Sequence, residues 1–113
     1  MGLSVKVESH VPETKEALRD AVERALTAIG IQCSSHAKVE LSNDPMRIDT
    51  GRLRNSITSL VQGDAVYVGT NVEYAIYVHE GTRRMSPNRF LKNAVTNNME
   101  EYASIAKQEL DKG

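Results

Sequence analysis

One amphipathic segment near the N-terminus constrains the fold more than any other feature of the sequence. Apolar residues recur there at steps of three and four residues, which is the period of a helix buried along one face. They are Leu18, Val22, Ala25, Leu26, Ile29 and Cys33. We therefore predict a long helix that begins near Thr14 and ends between Gly30 and Lys38.

A second group of segments has the alternation typical of strands. Leu3, Val5 and Val7 alternate with polar residues, which indicates a strand buried on one face. The stretch SITSLVQGDAVYVGT predicts a β-hairpin that turns at Gly63 and Asp64. The inward positions of this hairpin are expected to be Ile57, Val61, Val66 and Val68.

A short helix is predicted in the stretch DTGRLRNSI. Asp49 or Thr50 can cap its start, because either side chain can accept hydrogen bonds from the free amides of the first turn. Leu53 and Ile57 lie four residues apart, so they share one face of this helix.

The C-terminal half predicts a second short helix and a second long one. In NVEYAIYVHEG, the spacing places Tyr74, Tyr77 and Val78 on one side of the short helix, and Gly81 can terminate it in a left-handed conformation. A Ser-Pro pair at positions 86–87 then begins the long helix. The apolar positions of the long helix are Phe90, Leu91, Ala94, Val95, Tyr102, Ala106 and Leu110.

These elements predict an α+β fold in a single domain over residues 1–113. A small antiparallel sheet, made of the N-terminal strand and the hairpin, is expected to pack against two long helices and short helices. Polar and turn-forming residues predict mobile loops near residues 41–49 and 82–86.

The bulk composition narrows the possible function classes. The 113 residues suffice for one domain, and no apolar run is long enough to span a bilayer. Fourteen basic and fifteen acidic residues leave a net charge of −1, so the chain lacks the positive field of a dedicated nucleic-acid binder. The single cysteine excludes an internal disulfide, and we expect a soluble intracellular protein.

No constellation of side chains predicts catalysis or metal binding. His79 and Glu80 resemble part of a zinc-hydrolase helix, but Arg83 stands where the second histidine ligand would be needed. Cys33 and His36 lie three residues apart without a second ligand pair, and Cys33 falls on the apolar stripe. We expect a buried structural thiol, and no enzymatic activity, metal or cofactor.

Arginines cluster on both sides of the predicted hairpin, and their role has three interpretations. They are Arg47, Arg52, Arg54, Arg83, Arg84 and Arg89. These side chains can contact phosphates, remain solvated at the surface, or pair with carboxylates of a neighbouring subunit. The residues alone leave all three interpretations open.

Three ordered motifs, DTGRLRNSI, YVGTNVEYAIYVHEGT and SPNRFLKNAV, carry a resemblance to a known family. Together they resemble the gene-product-ten family of HK-type tailed phages, whose members are minor virion proteins of the neck. These are variously called head-tail joining, tail-completion or minor capsid proteins. The similarity spans Asp49 to Val95 with the preceding strand and helix, and it departs at Arg89, where the family often has proline.

The resemblance implies a structural virion protein without catalytic activity. It predicts that this chain forms a ring of six copies in the virion, at the junction of capsid and tail, with a monomer as the alternative state of the free chain. Phage tail tube or head connector proteins are the expected partners. Contact with DNA in the channel is compatible with a position at this junction, and no contact with a membrane is expected. The protein would occur in the virion and, during assembly, in the host bacterial cytoplasm. A small nucleic-acid-binding module that uses the arginine clusters is the alternative.

Two sets of residues follow from these motifs. Those expected at a subunit or partner interface are Tyr74, Tyr77, Glu80, Arg83, Arg84 and Arg89. Those expected to maintain local structure, several as backbone terminators, are Asp49, Thr50, Gly51, Leu53, Ser56, Gly81, Thr82, Pro87 and Phe90. For Tyr77 and Phe90, packing inside the subunit's own core is the alternative. The two loops are expected to order only against neighbouring subunits, which discourages premature ring closure.

Overall fold

The computed structural model describes residues 3–8, 16–42, 50–63, 65–83 and 87–112 of the chain. Within these residues, a three-stranded antiparallel sheet and five helices confirm the predicted α+β fold class. No helix in the described part is both long and apolar enough to cross a membrane. The elements in chain order are β1 (Leu3–Glu8), α1 (Glu16–Ser42), α2 (Thr50–Ser56), β2 (Thr58–Gln62), β3 (Ala65–Thr70), α3 (Ala75–Glu80), α4 (Phe90–Thr96) and α5 (Met99–Lys112).

The sheet has the strand order β1–β3–β2, so the N-terminal strand lies beside the second strand of the hairpin. Both pairings are antiparallel, and Val68 faces Val5 on β1 and Ser59 on β2. Gly63 at the hairpin turn has a φ of 62°, which glycine adopts without strain. Asp64 lies outside the described residues, but the strands on either side confirm the predicted hairpin.

Helix α1 packs across one face of the sheet and approaches it closely at Gly30. A Cβ atom at this position would lie 2.8 Å from Cγ2 of Val66 and 2.9 Å from Cβ of Ser59. These separations are shorter than ordinary carbon contacts in a packed interior. Glycine at position 30 therefore lets the helix reach the sheet.

Helix α1 continues through Ser42, so its predicted end within residues 30–38 is wrong. Ala37 and Leu41 extend the four-residue spacing of Cys33, and all three side chains are fully buried. Burial of this extension stabilises helical structure where the local sequence is rich in polar residues. The apolar residues of α1 thus continue at helical spacing past residue 38, and this spacing was the sequence signal for the longer helix.

The two predicted mobile loops lie largely outside the described residues. Of the first loop only Leu41 and Ser42 are described, and both belong to α1 rather than to a loop. Of the second loop only Thr82 and Arg83 are described, and both are exposed. The mobility of the loops stays a prediction. The predicted site positions that lie outside the description are Asp49, Arg84 and the side chain of Thr50.

Helix α4 begins at Phe90, so the predicted helix start at Pro87 is wrong. The Asn88 N–H donates to the Val78 carbonyl at 2.9 Å, which ties this segment to α3. Arg89 then has φ and ψ of −81° and 61°, outside the helical region. Phe90 itself is fully buried, so it packs inside the subunit's own core.

A turn at Asn97 and Asn98 divides the predicted second long helix into α4 and α5. The Ala94 carbonyl accepts hydrogen bonds from the Asn98 side-chain amide at 3.0 Å and from the Tyr102 hydroxyl at 2.5 Å. The Asn98 N–H donates instead to the Val95 carbonyl at 3.3 Å. Side chains thus satisfy the carbonyl that a continuous helix would have paired with a backbone amide.

Ser56 joins α2 to the end of β3 through a directed chain of hydrogen bonds. Its hydroxyl donates to the Leu53 carbonyl at 2.6 Å, which uses its only proton. The Thr70 hydroxyl, 2.5 Å away, must therefore donate to Ser56. It also accepts the Val72 N–H at 3.0 Å. This chain fixes the segment that leads from the sheet into α3.

Gly51 and Gly81 differ in how strictly the backbone requires glycine. Gly51 lies in the first turn of α2 without a positive φ, and an added Cβ would meet nothing within 4 Å. Its interpretation as a backbone terminator is therefore wrong. Gly81 follows α3 with φ 81° and ψ 174°, a combination that other residues essentially never adopt. This geometry supports the predicted role of Gly81 at the end of α3.

The substitutions Gly30→Ala and Gly51→Ala form a matched pair of stability tests. We expect Gly30→Ala to lower the free energy of unfolding by about 1–3 kcal/mol, because the methyl group overpacks the contact with the sheet. Gly51→Ala should raise it by about 0.5–1 kcal/mol, because alanine favours the helix and the space is open. Urea denaturation followed by circular dichroism measures both changes. Equal effects of the two substitutions would contradict the packing described at Gly30.

Removal of the Ser56 hydroxyl tests the hydrogen-bond chain. We expect Ser56→Ala to lower the free energy of unfolding by about 1–2 kcal/mol, because the buried Thr70 hydroxyl loses its acceptor. The control is Ser35→Ala at an exposed position of α1, which should change stability by less than about 0.5 kcal/mol. If Ser56→Ala lowers the free energy of unfolding no more than the control does, the hydrogen-bond chain through Ser56 contributes nothing to stability.

Candidate functional site

Helix α3 presents one face to the core and an apolar face to solvent. The buried residues of the helix are Ala75, Val78 and His79. On the opposite side, the side chains of Ile76 and Tyr77 are 52% and 58% exposed. Glu80 lies three residues after Tyr77 on this same side. We call Ile76, Tyr77 and Glu80 the α3 patch.

The orientation of α3 differs from the sequence prediction. Tyr74, Tyr77 and Val78 were expected on one side, but Val78 is buried while Tyr77 is exposed. Tyr74 is half-buried at the N-terminal end of the helix. The prediction was wrong because the core accepts the smaller Ala75 together with Val78, which rotates the helix and turns Tyr77 outward.

Ion pairs bound the α3 patch at both ends. At its start, Arg52 of α2 lies 3.6 Å from Glu73, and its guanidinium stands 5.4 Å from the ring centroid of Tyr74. At its end, Nε of Arg89 lies 3.6 Å from a carboxylate oxygen of Glu80. The charged side chains are largely exposed, so each pair adds little stability. They form a polar border around the apolar pair.

His79 connects the α3 patch to α4 from the buried side of the helix. Its Nε2 accepts the Lys92 N–H at 3.3 Å, which requires that Nδ1 carry the proton of the neutral ring. Nδ1 lies 2.5 Å from Glu80 and donates to its carboxylate. The ring also meets Phe90 edge-on, with centroids 5.3 Å apart. Both ring nitrogens are therefore engaged in structural hydrogen bonds.

The same hydrogen bond determines the acidity of Glu80. Donation from His79 is the main cause that lowers the pKa of the Glu80 carboxyl, and the charge of Arg89 acts in the same direction. The carboxylate form is thus favoured at the border of the patch. Glu80 presents a negative charge there at neutral pH.

Asn88 ties α3 to the end of α1. Its N–H donates to the Val78 carbonyl at 2.9 Å, and its side-chain amide donates to the Glu40 carbonyl near the end of α1 at 3.3 Å. The Gly81 N–H closes the last turn of α3 on the Tyr77 carbonyl at 2.8 Å. These bonds, with those of His79, hold the α3 patch in a defined orientation.

The structure brings only part of the predicted interface set together. Tyr77, Glu80 and Arg89 meet at the α3 patch, while Tyr74 lies beneath Arg52 at its border. Arg83 is exposed beyond the end of the helix. Sequence reasoning missed Ile76, Glu73 and the anchoring role of His79. The spacing of residues 73, 76, 77 and 80 on one side of a helix was the available signal for the first two.

Of the arginines singled out from the sequence, Arg52, Arg54 and Arg89 have partners within the molecule. Arg52 and Arg89 face the carboxylates of Glu73 and Glu80. Arg54 donates to the Ser42 hydroxyl at 3.1 Å, where α2 meets the end of α1. These three guanidinium groups bind acceptors of the subunit itself.

Cys33 lies in a second cluster of titratable groups, between α1 and α5. Its side chain is fully buried, and burial raises the pKa of the thiol. Burial also raises the pKa of Tyr102, and a hydrogen bond with Cys33 acts in the same direction. His36 Nε2 lies 2.6 Å from a Glu101 carboxylate oxygen. Cys33 is therefore a protonated core thiol, and no group of three metal-binding side chains occurs in the described part of the chain.

These features define a small α+β protein that exposes an apolar pair on α3 beside a charged border. Comparison of the chain with known protein families, curated proteins and solved structures found no match. The resemblance to phage neck proteins therefore depends on the three sequence motifs.

Substitution of Glu80 by Gln should alter the pH dependence of stability. Because the folded-state pKa of Glu80 is lowered, the carboxylate stabilises the fold at pH values above its ordinary pKa, and this contribution is lost as the pH falls through the folded value. We expect the variant to be less stable than the natural chain at pH 7 and the difference to shrink as the pH falls below the ordinary pKa of a glutamate carboxyl. Urea denaturation at several pH values measures the difference in the free energy of unfolding between the two proteins.

Glu23→Gln removes the same charge at an exposed position of α1 and serves as the control. A difference between the Glu80 variant and the natural chain that stayed constant from neutral to acidic pH would contradict the role assigned to the His79–Glu80 hydrogen bond.

Proposed function

We propose that the chain is a structural virion protein of a tailed phage or prophage, a neck component that forms a ring and joins head to tail or completes the tail. The observation that carries this proposal is the α3 patch, an exposed apolar pair on an anchored helix. The patch lies within YVGTNVEYAIYVHEGT, one of the motifs that resemble the phage neck proteins.

The α3 patch has the composition of a protein interface. Adjacent exposed apolar side chains gain free energy when a partner covers them. Tyrosine is enriched at the positions that dominate binding energy, and surrounding polar contacts exclude water from such a centre. The paired charges of Glu80 and Arg89 stand in that surrounding position. This role requires adhesion and no bond-making chemistry, so the proposed protein is not an enzyme.

The anchoring of α3 favours binding without rearrangement. His79 and Asn88 fix the helix to its neighbours, so little conformational entropy is lost when the α3 patch is covered. Phe90 supports His79 from the buried side. A partner would therefore contact Tyr77, while Phe90 keeps the surface in place from within.

The charge balance of the chain gives phosphate binding little support. Arg52, Arg54 and Arg89 each face an acceptor of the subunit, and these exposed contacts are weak enough for either a phosphate or a partner's carboxylate to replace them. A net charge of −1 also gives no long-range attraction to nucleic acid. The small nucleic-acid-binding module thus remains the alternative with less support.

In the proposed assembly, copies of this chain are the first partners and form a hexameric ring. Tail tube or head connector proteins are the second partners, on either side of that ring. DNA would pass through the central channel, where contact with the ring is compatible with the proposal. The protein would be found in the virion and, during assembly, in the host bacterial cytoplasm.

Replacement of the apolar pair tests the proposed function. We expect Ile76→Ser combined with Tyr77→Ser to weaken self-association and tail binding by at least about tenfold, because the apolar centre of the interface is lost. Native mass spectrometry of the purified chain, alone and with phage tails, measures both. Ile31→Ser combined with Val39→Ser removes two apolar side chains of similar exposure from α1 and is the matched control.

The outcomes separate the two candidate functions. Self-association or tail binding by the Ile76 and Tyr77 variant at the level of the natural chain would contradict the docking role. Titration with duplex DNA at two salt concentrations addresses the alternative. Tight binding that weakens steeply as salt rises, in a chain that remains monomeric and ignores tails, would favour the nucleic-acid-binding module.

A further inference from the structure

His79 supplies a cap that α4 lacks at its own N-terminus. Helix α4 begins at Phe90, and Arg89 before it makes no side-chain hydrogen bond to the free amides of the first turn. The Lys92 N–H is one of these amides, and it donates to Nε2 of His79 at 3.3 Å. We call this hydrogen bond the His79 cap. A ring on α3 thus provides the acceptor that the residue before a helix commonly provides.

The His79 cap exists only for the neutral imidazole. Nδ1 carries the ring proton and lies 2.5 Å from the Glu80 carboxylate, so Nε2 keeps the lone pair that accepts the Lys92 N–H. A second proton would have to bind at Nε2, because Nδ1 is already protonated. Two N–H donors would then face each other, and the Lys92 amide would lose its acceptor.

We infer that the His79 cap is a pH-sensitive link between α3 and α4. Uptake of a proton at Nε2 breaks the cap, while the contact of Nδ1 with Glu80 is kept. Histidine is the residue whose charge changes between about pH 5 and 8, so acidification within that range is the signal. The inference concerns the fold and does not depend on the proposed function.

The charged residues next to His79 lie on α3 and at the start of α4. The Glu80 carboxylate contacts Nδ1 and favours a positive ring. Arg89 and Lys92 carry positive charge, and Arg89 faces the same carboxylate at 3.6 Å, so both oppose a second proton. From α1, the group hydrogen-bonded to this segment is the uncharged carbonyl of Glu40. One carboxylate is thus set against two positive charges, and the pH decides which form of the ring is present.

Loss of the His79 cap would act on the orientation of the α3 patch. The Asn88 N–H would still donate to the Val78 carbonyl at 2.9 Å, so α3 would remain attached to the segment before α4. The bond from α3 to the first turn of α4 itself would be lost. The exposed pair of Ile76 and Tyr77 would then lie on a helix that can tilt against α4. Mild acid therefore loosens the α3 patch without unfolding the chain.

Nuclear magnetic resonance of the natural chain tests the inference. We expect the ring nitrogen shifts of His79 to show a proton on Nδ1 at neutral pH. We also expect the protection of the Lys92 amide against hydrogen exchange, corrected for the intrinsic rate at each pH, to fall at least about tenfold as the ring gains its second proton.

The Val72 amide is the matched control within the same chain. It also donates to a side chain, the Thr70 hydroxyl at 3.0 Å, but this acceptor does not change its charge in the range studied. The protection of the Val72 amide should therefore stay constant while that of Lys92 falls.

Two variants separate His79 from the other titrating groups. His79→Gln places an amide oxygen near the position of Nε2, and this acceptor does not titrate, so we expect Lys92 protection to be independent of pH between about 5 and 8. His36→Gln removes the histidine that contacts Glu101 on α5. In this control variant, Lys92 protection should depend on pH as in the natural chain.

Each outcome either supports the link or overturns it. A proton on Nε2 at neutral pH, constant Lys92 protection while His79 titrates, or a ring that stays neutral until the chain unfolds would overturn it. So would an equal fall in the protection of Lys92 and Val72, which indicates a general loss of stability. These measurements use the natural chain, so they decide the question even if His79→Gln does not fold. In a folded His79→Gln variant, an unchanged pH dependence would also overturn the link.

Discussion

The buried stripe of helix α1 is the contact on which the rest of the fold depends. The sheet, α2, α4 and α5 all pack against this helix. Its stripe joins Gly30, which allows close approach of the sheet, to Leu41, which lies in the same core as Leu53 and Phe90. Because the chain has a single phenylalanine, these aliphatic contacts must supply most of the hydrophobic stabilisation.

The surface site depends on this core through a short series of polar links. Ser56 and Thr70 fix the segment that enters α3, and Asn88 joins the helix to the end of α1. His79 then uses both ring nitrogens, one on Glu80 and one on the backbone of α4. The exposed face of α3 is therefore oriented by interactions that are themselves buried or partly buried. The same few side chains therefore support both the fold and the proposed docking surface.

Periodicity predicted the elements of the fold but not their ends. Alternation identified β1 and the hairpin, since one buried face requires it. The end of α1 was missed because Ala37 and Leu41 stand among polar residues, and the break at Asn98 was missed because side chains replace a backbone bond at Ala94. In the site, Tyr77 was identified as a surface candidate. Its neighbours Ile76 and His79 were not, because the rotation of a six-residue helix depends on tertiary packing.

The tyrosines give the molecule a built-in optical signal, because the chain has no tryptophan to mask their emission. The four phenol rings occupy four different surroundings. Tyr102 is buried among α1, α4 and α5, and Tyr74 lies under a guanidinium. Tyr67 lies half-buried on β3 beside the ammonium group of Lys6, and Tyr77 faces water. Ultraviolet spectroscopy of the unlabelled protein can therefore distinguish loss of the interior from a change at the surface.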